Sequence, residues 1–177
     1  MSHAWHDVPT GKNAPVSFNA VIVTPMGSKV RYDLDRDTGL LKVVRVLYSS
    51  MVYPANHGFL PQTLSDDGGP LDALVLMQVP VVPLCVLYAR AIGLLRRRDQ
   101  GRHDETIICV HLDDPGFRSY HATDELPRHH LAEVRRFFED YQELEGRAMP
   151  IEDFLDASAA CQTIQAAMDR YESLDHG

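Results

Sequence analysis

Two acidic stretches hold the residues of this chain best suited to chemistry. Ser65-Asp66-Asp67-Gly68-Gly69-Pro70-Leu71-Asp72 reads as a turn running into the apolar strand Ala73-Leu74-Val75-Leu76, which sets several carboxylates on one rigid rim. Arg98-Asp99-Gln100-Gly101-Arg102-His103-Asp104-Glu105 reads as a second acidic loop between two further apolar strands. A hard divalent cation such as Mg2+ takes one or two carboxylates together with waters and phosphate oxygens, so two acidic loops at strand ends suit a metal cluster. Acids in turns are also ordinary solvated punctuation, and composition alone does not choose between the two readings. The spacing lacks the closing glutamate of an EF-hand. Arg31 and Arg45 on predicted strands, and Tyr141 on a predicted helix, have the chemistry to hold phosphate oxygens across such a rim. Each is equally an ordinary surface ion-pair partner or a tyrosine at the edge of a core. No glycine-rich phosphate loop is present, so a nucleotide-binding fold has no support.

The elements that must position these residues change character along the chain. Ala20-Val21-Ile22-Val23-Thr24, Val30-Arg31-Tyr32-Asp33-Leu34 and Leu40-Leu41-Lys42-Val43-Val44 read as strands separated by turns. The middle one alternates strictly, which predicts a core face of Val30, Tyr32 and Leu34 and a charged face of Arg31, Asp33 and Asp35. Three longer apolar runs follow, over residues 73–82, 85–95 and 106–112, and an antiparallel barrel is the economical way to close so many short strands. In the last third the period becomes helical. Leu131, Val134, Phe137, Phe138, Tyr141 and Leu144 predict one amphipathic helix, with Pro127 at its start and Gly146 past its end. A second helix begins after the capping candidate Asp156 and carries Ala160, Ile164, Ala167, Met168, Tyr171 and Leu174 on one stripe. Strands first and helices last, without repeats or a linker, predict a single α+β domain over residues 1–177.

The chain has 177 residues, 45% hydrophobic and 24% charged, which suits one globular unit with a core that needs neither metal nor disulfide to hold it together. Any metal site is therefore expected to serve function. The formal charge of −8, from 25 acidic and 17 basic residues, argues against nucleic acid or an anionic membrane as partner. Cys85, Cys109 and Cys161 form no CxxC pair and read as reduced thiols, and no segment looks like a signal peptide or a membrane span. A cytoplasmic location is expected.

Several of these segments share one family likeness. Trp5-His6-Asp7, Pro25-Met26-Gly27-Ser28-Lys29-Val30-Arg31-Tyr32-Asp33, Tyr53-Pro54-Ala55-Asn56-His57-Gly58-Phe59, Asp67-Gly68-Gly69-Pro70-Leu71-Asp72, Asp99-Gln100-Gly101 and Arg136-Phe137-Phe138-Glu139-Asp140-Tyr141 occur in that order. Together they resemble the soluble family I inorganic pyrophosphatases, in wording closest to the plant-type members. The resemblance implies a five-stranded OB-like barrel with flanking helices, two of them C-terminal, and Mg2+-dependent hydrolysis of pyrophosphate to two phosphates. It matches Asp67, Asp72 and Asp104 to metal ligands and Asp99 to an acid at a further metal. Arg31, Arg45, His57 and Tyr141 fall at substrate-binding positions, Asp33 at that of a site glutamate, and Tyr53 at that of another cavity tyrosine.

The same likeness exposes departures. Gly69 stands where the family has the aspartate proposed to accept a proton from the attacking water, and Val23 where the first strand offers a glutamate. Thr106 and Gln142 replace two lysines, and His57 replaces a tyrosine. Two negative and two positive charges are lost together, leaving the net charge of the site unchanged. Attenuated hydrolysis, with His57 as a substitute base, is one expectation. A non-catalytic or regulatory relative, or a hydrolase of another phosphorylated substrate, is the other. Family members occur as monomers, dimers and hexamers, and the apolar stripe of the last helix suits either core or a homo-oligomer interface.

Overall fold

The computed structural model of the chain describes residues 2–146 and 150–174, apart from the side chain of Asp99. The elements in order are β1 (Ser17–Thr24), β2 (Val30–Leu34), β3 (Leu41–Val46), β4 (Asn56–Leu60), β5 (Leu71–Leu76), β6 (Val86–Asp99), β7 (Arg102–His111), α1 (Arg128–Glu145), β8 (Ile151–Asp156) and α2 (Ala157–Leu174). Strands β1, β4, β5, β7 and β6 lie side by side in that order, and β6 pairs back onto β1 to close a five-stranded ring. Closure removes the free edges that an open sheet would expose.

Continuous apolar runs become strands here because both of their faces are covered. On β5 and β7, Ala73, Val75, Ile107 and Cys109 pack with Ala160, Ile164 and Ala167 of α2. The alternate residues Leu74, Leu76, Ile108 and Val110 pack with Val134, Phe137, Phe138 and Tyr141 of α1. The strand period of two thus sends each run into two cores, one for each helix. Strand β6 serves both the ring and β8, changing neighbours where its register shifts between Ala91 and Gly93. A Cβ on Gly93 would lie 2.5 Å from Thr123 Cγ2 and 3.0 Å from the Leu155 carbonyl oxygen, so the crossing requires glycine.

The barrel and the two C-terminal helices agree with expectation, but the ring is not wholly antiparallel. Strand β5 pairs with β7 in parallel. The chain leaves β5, crosses to build β6, and returns in β7 as its hairpin partner, so β7 enters the gap beside β5 already running in the same direction. Strand β2 also differs from its reading. It pairs with β3 in a separate two-stranded sheet, and of its apolar face only Leu34 is buried. Strands β4 and β8 lack a clear apolar alternation and were not expected as strands. Helix α1 ends at Gly146, whose left-handed φ of 64° returns its N–H to the Gln142 and Glu143 carbonyls. Helix α2 begins at Asp156, which accepts the Ala159 N–H at 2.9 Å, while Leu174 at its far end is 56% exposed rather than part of the buried stripe.

The seam between β1 and β4 leaves no room for a side chain at Gly58. A Cβ on Gly58 would lie 1.8 Å from the Val21 carbonyl oxygen and 2.8 Å from Ile22 Cα. Backbone cannot yield there without opening the seam, so Gly58→Ala is expected to cost about 3 kcal/mol or more. A fall in melting temperature of roughly 6–12 °C in thermal denaturation is the corresponding outcome, and a melt equal to wild type would contradict this account.

Candidate active site

Strand register assembles the acidic wall. Asp72 on β5 pairs with Thr106 on β7, and Asp104 on β7 pairs with Arg97 on β6. Because Asp104 and Thr106 are two residues apart, they share a face, and their cross-strand neighbours Asp72 and Arg97 share it with them. Residues 98–105 are therefore not a loop: they form the tip of the β6–β7 hairpin, turned by Gln100 and Gly101 at φ 50° and 83°. The turn before β5 supplies Asp67, whose Oδ1 accepts the Gly69 N–H at 2.9 Å while Ser65 N–H donates to the Gly69 carbonyl at 2.8 Å.

The opposite wall comes from β2, β3 and the end of α1. Arg31 and Arg45 are direct cross-strand partners, a like-charge pair that needs negative groups nearby. The C-terminus of α1 provides them, since a helix end carries unpaired carbonyls and the negative end of its dipole. Arg31 Nη1 donates to Tyr141 Oη at 2.5 Å and lies 3.5 Å from Glu145, and Arg45 Nη1 donates to the Leu144 carbonyl at 2.9 Å. Between the walls lies a cavity of about 280 Å³, with a side chamber of about 60 Å³; Arg31, Asp67 and Asp72 line both.

Most of the residues singled out from the sequence meet at this place. Asp67, Asp72, Asp104, Arg31 and Tyr141 line the larger cavity, and Asp33, His57 and Val23 line the side chamber. Arg45 lines neither; its guanidinium lies over the Tyr141 ring, 5.9 Å from the ring centre. Asp99 lies at the end of β6, and its side chain is outside the described structure. Tyr53 is buried against Phe137 and His57, and that burial raises its phenol pKa, so it stays protonated. Thr106 is buried beside Asp72, and Gln142 follows Tyr141 on α1.

Two arginines were missed. Arg97 is 8% exposed, hydrogen-bonds Asp104 through Nη2, and lies 4.6 Å from the centre of the Phe138 ring. The signal for it was present: a two-residue turn at Gln100-Gly101 fixes the register that brings Arg97 to Asp104. Arg36, in the β2–β3 turn, left no such signal. Its Nη2 is 3.7 Å from Asp67, and a Cβ on Gly69 would lie 2.2 Å from that same nitrogen. The space beside Gly69 is thus filled by a guanidinium.

The carboxylates offer the hard oxygens that a divalent ion prefers, and their crowding shows a surplus of negative charge. Burial, followed by the neighbouring Asp104, pushes Asp72 up to about 8, with Arg31 pulling the other way. Its side chain keeps 41% of its exposure, all the same, so it is open to the cavity. The donor set fits a divalent ion in kind. Among the described residues no three acids, histidines or cysteines converge on one point, because Asp104 and Asp67 are turned toward Arg97 and Arg36.

His57 faces Asp72 at 3.9 Å, beyond hydrogen-bond reach, and its Nδ1 is buried without a partner. Burial first, then Arg31 and Arg97, lower its pKa from 6.5 to about 3. The imidazole is neutral at physiological pH and a weak proton acceptor, a poor match for a substitute base. A depressed folded-state pKa means that the stability contributed by neutral His57 is present above about pH 6.5 and lost as pH falls toward 3. His57→Phe is accordingly expected to flatten the acid side of the stability profile by up to about 1.4 kcal/mol per pH unit between pH 6 and 4. Urea denaturation of both proteins across that range measures it, and parallel profiles would remove the buried neutral imidazole from the account.

Comparison with known proteins places this geometry. Residues 20–172 match the inorganic pyrophosphatase family. A soluble inorganic pyrophosphatase of Solanum tuberosum is 54% identical over 170 residues, which cover 96% of this chain and 81% of that protein. Another, from Chlamydomonas reinhardtii, is 50% identical over 171 residues, 97% of this chain and 89% of that one. The crystal structure of inorganic pyrophosphatase from Thermus thermophilus superposes with a TM-score of 0.91 at 33% identity, covering 97% of this chain and 99% of its own. With its barrel, its acidic rim and its facing arginine and tyrosine, the chain belongs to the inorganic pyrophosphatase family.

Proposed function

We propose that this protein hydrolyses inorganic pyrophosphate to two phosphates with the help of Mg2+, more slowly than a site with a complete set of proton-accepting and cationic groups. The observation that carries the reading is the carboxylate rim of Asp67, Asp72 and Asp104 facing the Arg31–Tyr141 pair across one cavity. Asp67, Asp72 and Asp104, joined by Asp99, are the residues to hold the metal. Bound divalent ions supply Lewis-acid polarisation of phosphate and acidify water.

The rest is the work of this chain's own side chains. Arg31, held by Tyr141 and Glu145, is oriented before substrate arrives, so little ordering is left for binding to cost. Arg45 steadies the same corner from over the Tyr141 ring and through the Leu144 carbonyl. Neutral His57 is suited to donate a hydrogen bond rather than to take a proton. At position 69 there is no carboxylate, and the guanidinium of Arg36 beside it cannot serve as a base. The loss of a general base typically costs about 10^2- to 10^4-fold in rate. Electrostatic stabilisation by metal and arginine is the largest single contribution in many such reactions, so a measurable rate is expected to survive.

A cytoplasmic setting and self-association complete the proposal. The three free cysteines suit a reducing compartment. The exposed valines Val43, Val44 and Val46 of β3 are available for contact with a second copy.

Phosphate release from pyrophosphate by the purified chain is expected with Mg2+, to stop with chelator, and to fall at least about 10^3-fold in Asp72→Ala. Equal rates in wild type and Asp72→Ala would favour a binding or regulatory protein on this scaffold. Gly69→Asp alone is expected to raise kcat less than tenfold, because the new carboxylate meets Arg36 and forms an ion pair. Gly69→Asp combined with Arg36→Ala is expected to exceed either single variant. Steady-state kinetics of the four proteins decides this, and a full gain from Gly69→Asp alone would show that Arg36 does not occupy the base position in solution.

A further inference from the structure

We propose that Arg97 is a resident counter-cation of the carboxylate rim, which competes with divalent metal for Asp104 and must be displaced before that carboxylate can join a metal site. The inference rests on the reading of the rim as a site for divalent ions. Three consecutive arginines approach the β6–β7 hairpin, and alternation sorts them. Arg96 bonds Glu105 at 2.9 and 3.2 Å, a carboxylate that also receives Thr163 Oγ1 from α2, and Arg98 pairs with Glu152 of β8 at 2.7 Å. Both are ties within the frame. Arg97 alone of the three points to the cavity face, where Asp104 is its cross-strand partner.

Its surroundings hold it there by few contacts. The side chain is 10% exposed, its Nε is buried with no hydrogen-bond partner, and the Phe138 ring lies against the guanidinium. A planar cation with five donors is thus anchored chiefly by one carboxylate. A buried unpaired N–H is costly; Arg90 keeps one too, but its guanidinium is tied to two backbone carbonyls, those of Arg118 and Tyr120, whereas that of Arg97 holds a single side-chain carboxylate. A guanidinium with donors to spare, at the wall of a polar cavity, is instead poised to exchange its carboxylate for another anion. Displacement by metal would leave it facing the space that phosphate oxygens enter, so metal and phosphate would each ease the binding of the other. Arg36 does the same for Asp67 more weakly, since its side chain is 48% exposed and 3.7 Å away, where water screens the attraction.

Isothermal titration of the metal-free chain with Mg2+ tests the proposal. Arg97→Met, and Arg97→Gln as a second neutral variant should the first fail to fold, are expected to bind Mg2+ about tenfold more tightly than wild type. Arg36→Gln is expected to gain about threefold. In the Asp104→Asn background the gain from Arg97→Met is expected to vanish. In wild type, the Arg97 Nε–H resonance is expected to shift on addition of Mg2+, a readout that needs no substitution. Affinity unchanged or weakened in the folded Arg97 variants, with an unmoved resonance, overturns the proposal. Asp72→Ala separates the two levels. If it abolishes Mg2+ binding while the Arg97 variants match wild type, only the competing role of Arg97 falls. If Asp72→Ala binds Mg2+ like wild type, the metal-site reading itself falls.

Discussion

Asp66, Asp67, Asp72 and Asp104 line one cavity, Asp33 shares its side chamber with Asp67 and Asp72, and the repulsion felt by Asp72 from Asp104, Asp33 and Asp67 is the constraint that its surroundings must meet. Carboxylates in such a setting must be protonated, paired or bound to a cation. Burial and Asp104 push the Asp72 carboxyl above the ordinary carboxylate range, Arg97 pairs with Asp104, and Arg36 lies 3.7 Å from Asp67. Unrelieved negative charge is what makes the cavity attractive to a divalent ion, and the arginines already present set how hard that ion must compete.

The barrel makes such crowding bearable. Strands β5, β6 and β7 bury apolar side chains on both faces, and each face is sealed by its own helix. The carboxylates sit where these strands run out of core, so they do not have to enter it. Helix α1 contributes twice: Phe137 and Phe138 fill the core, and one turn later Tyr141, the Leu144 carbonyl and Glu145 receive the two adjacent arginines of the β2–β3 sheet. Loss of that negative helix end would leave Arg31 and Arg45 facing each other without compensation.

The departures from the family pattern also acquire a physical sense. The guanidinium of Arg36 fills the space beside Gly69, and Arg97 lies one strand over from Thr106, opposite Asp104. A charge count over Val23, Gly69, Thr106 and Gln142 alone is therefore incomplete, because Arg36 and Arg97 lie beside two of these positions.

Much of this was legible in the chain before folding. Helical spacing of Val134, Phe137, Phe138 and Tyr141, the caps at Asp156 and Gly146, and the acidic turn into Ala73-Leu74-Val75-Leu76 are local patterns, set by backbone geometry and burial within a few residues. The motif order identified the family and most of the cavity wall for the same reason. What only the tertiary structure decided depends on distant chain segments: the parallel β5–β7 pairing, which follows from the path through β6; the separation of β2 from the ring; the placing of Arg45 over the Tyr141 ring; the depressed basicity of His57. Arg97 lay between the two, since a two-residue turn implied its partner. Arg36 could not have been foreseen, because its place beside Gly69 is a meeting of side chain and backbone more than thirty residues apart that no local spacing encodes.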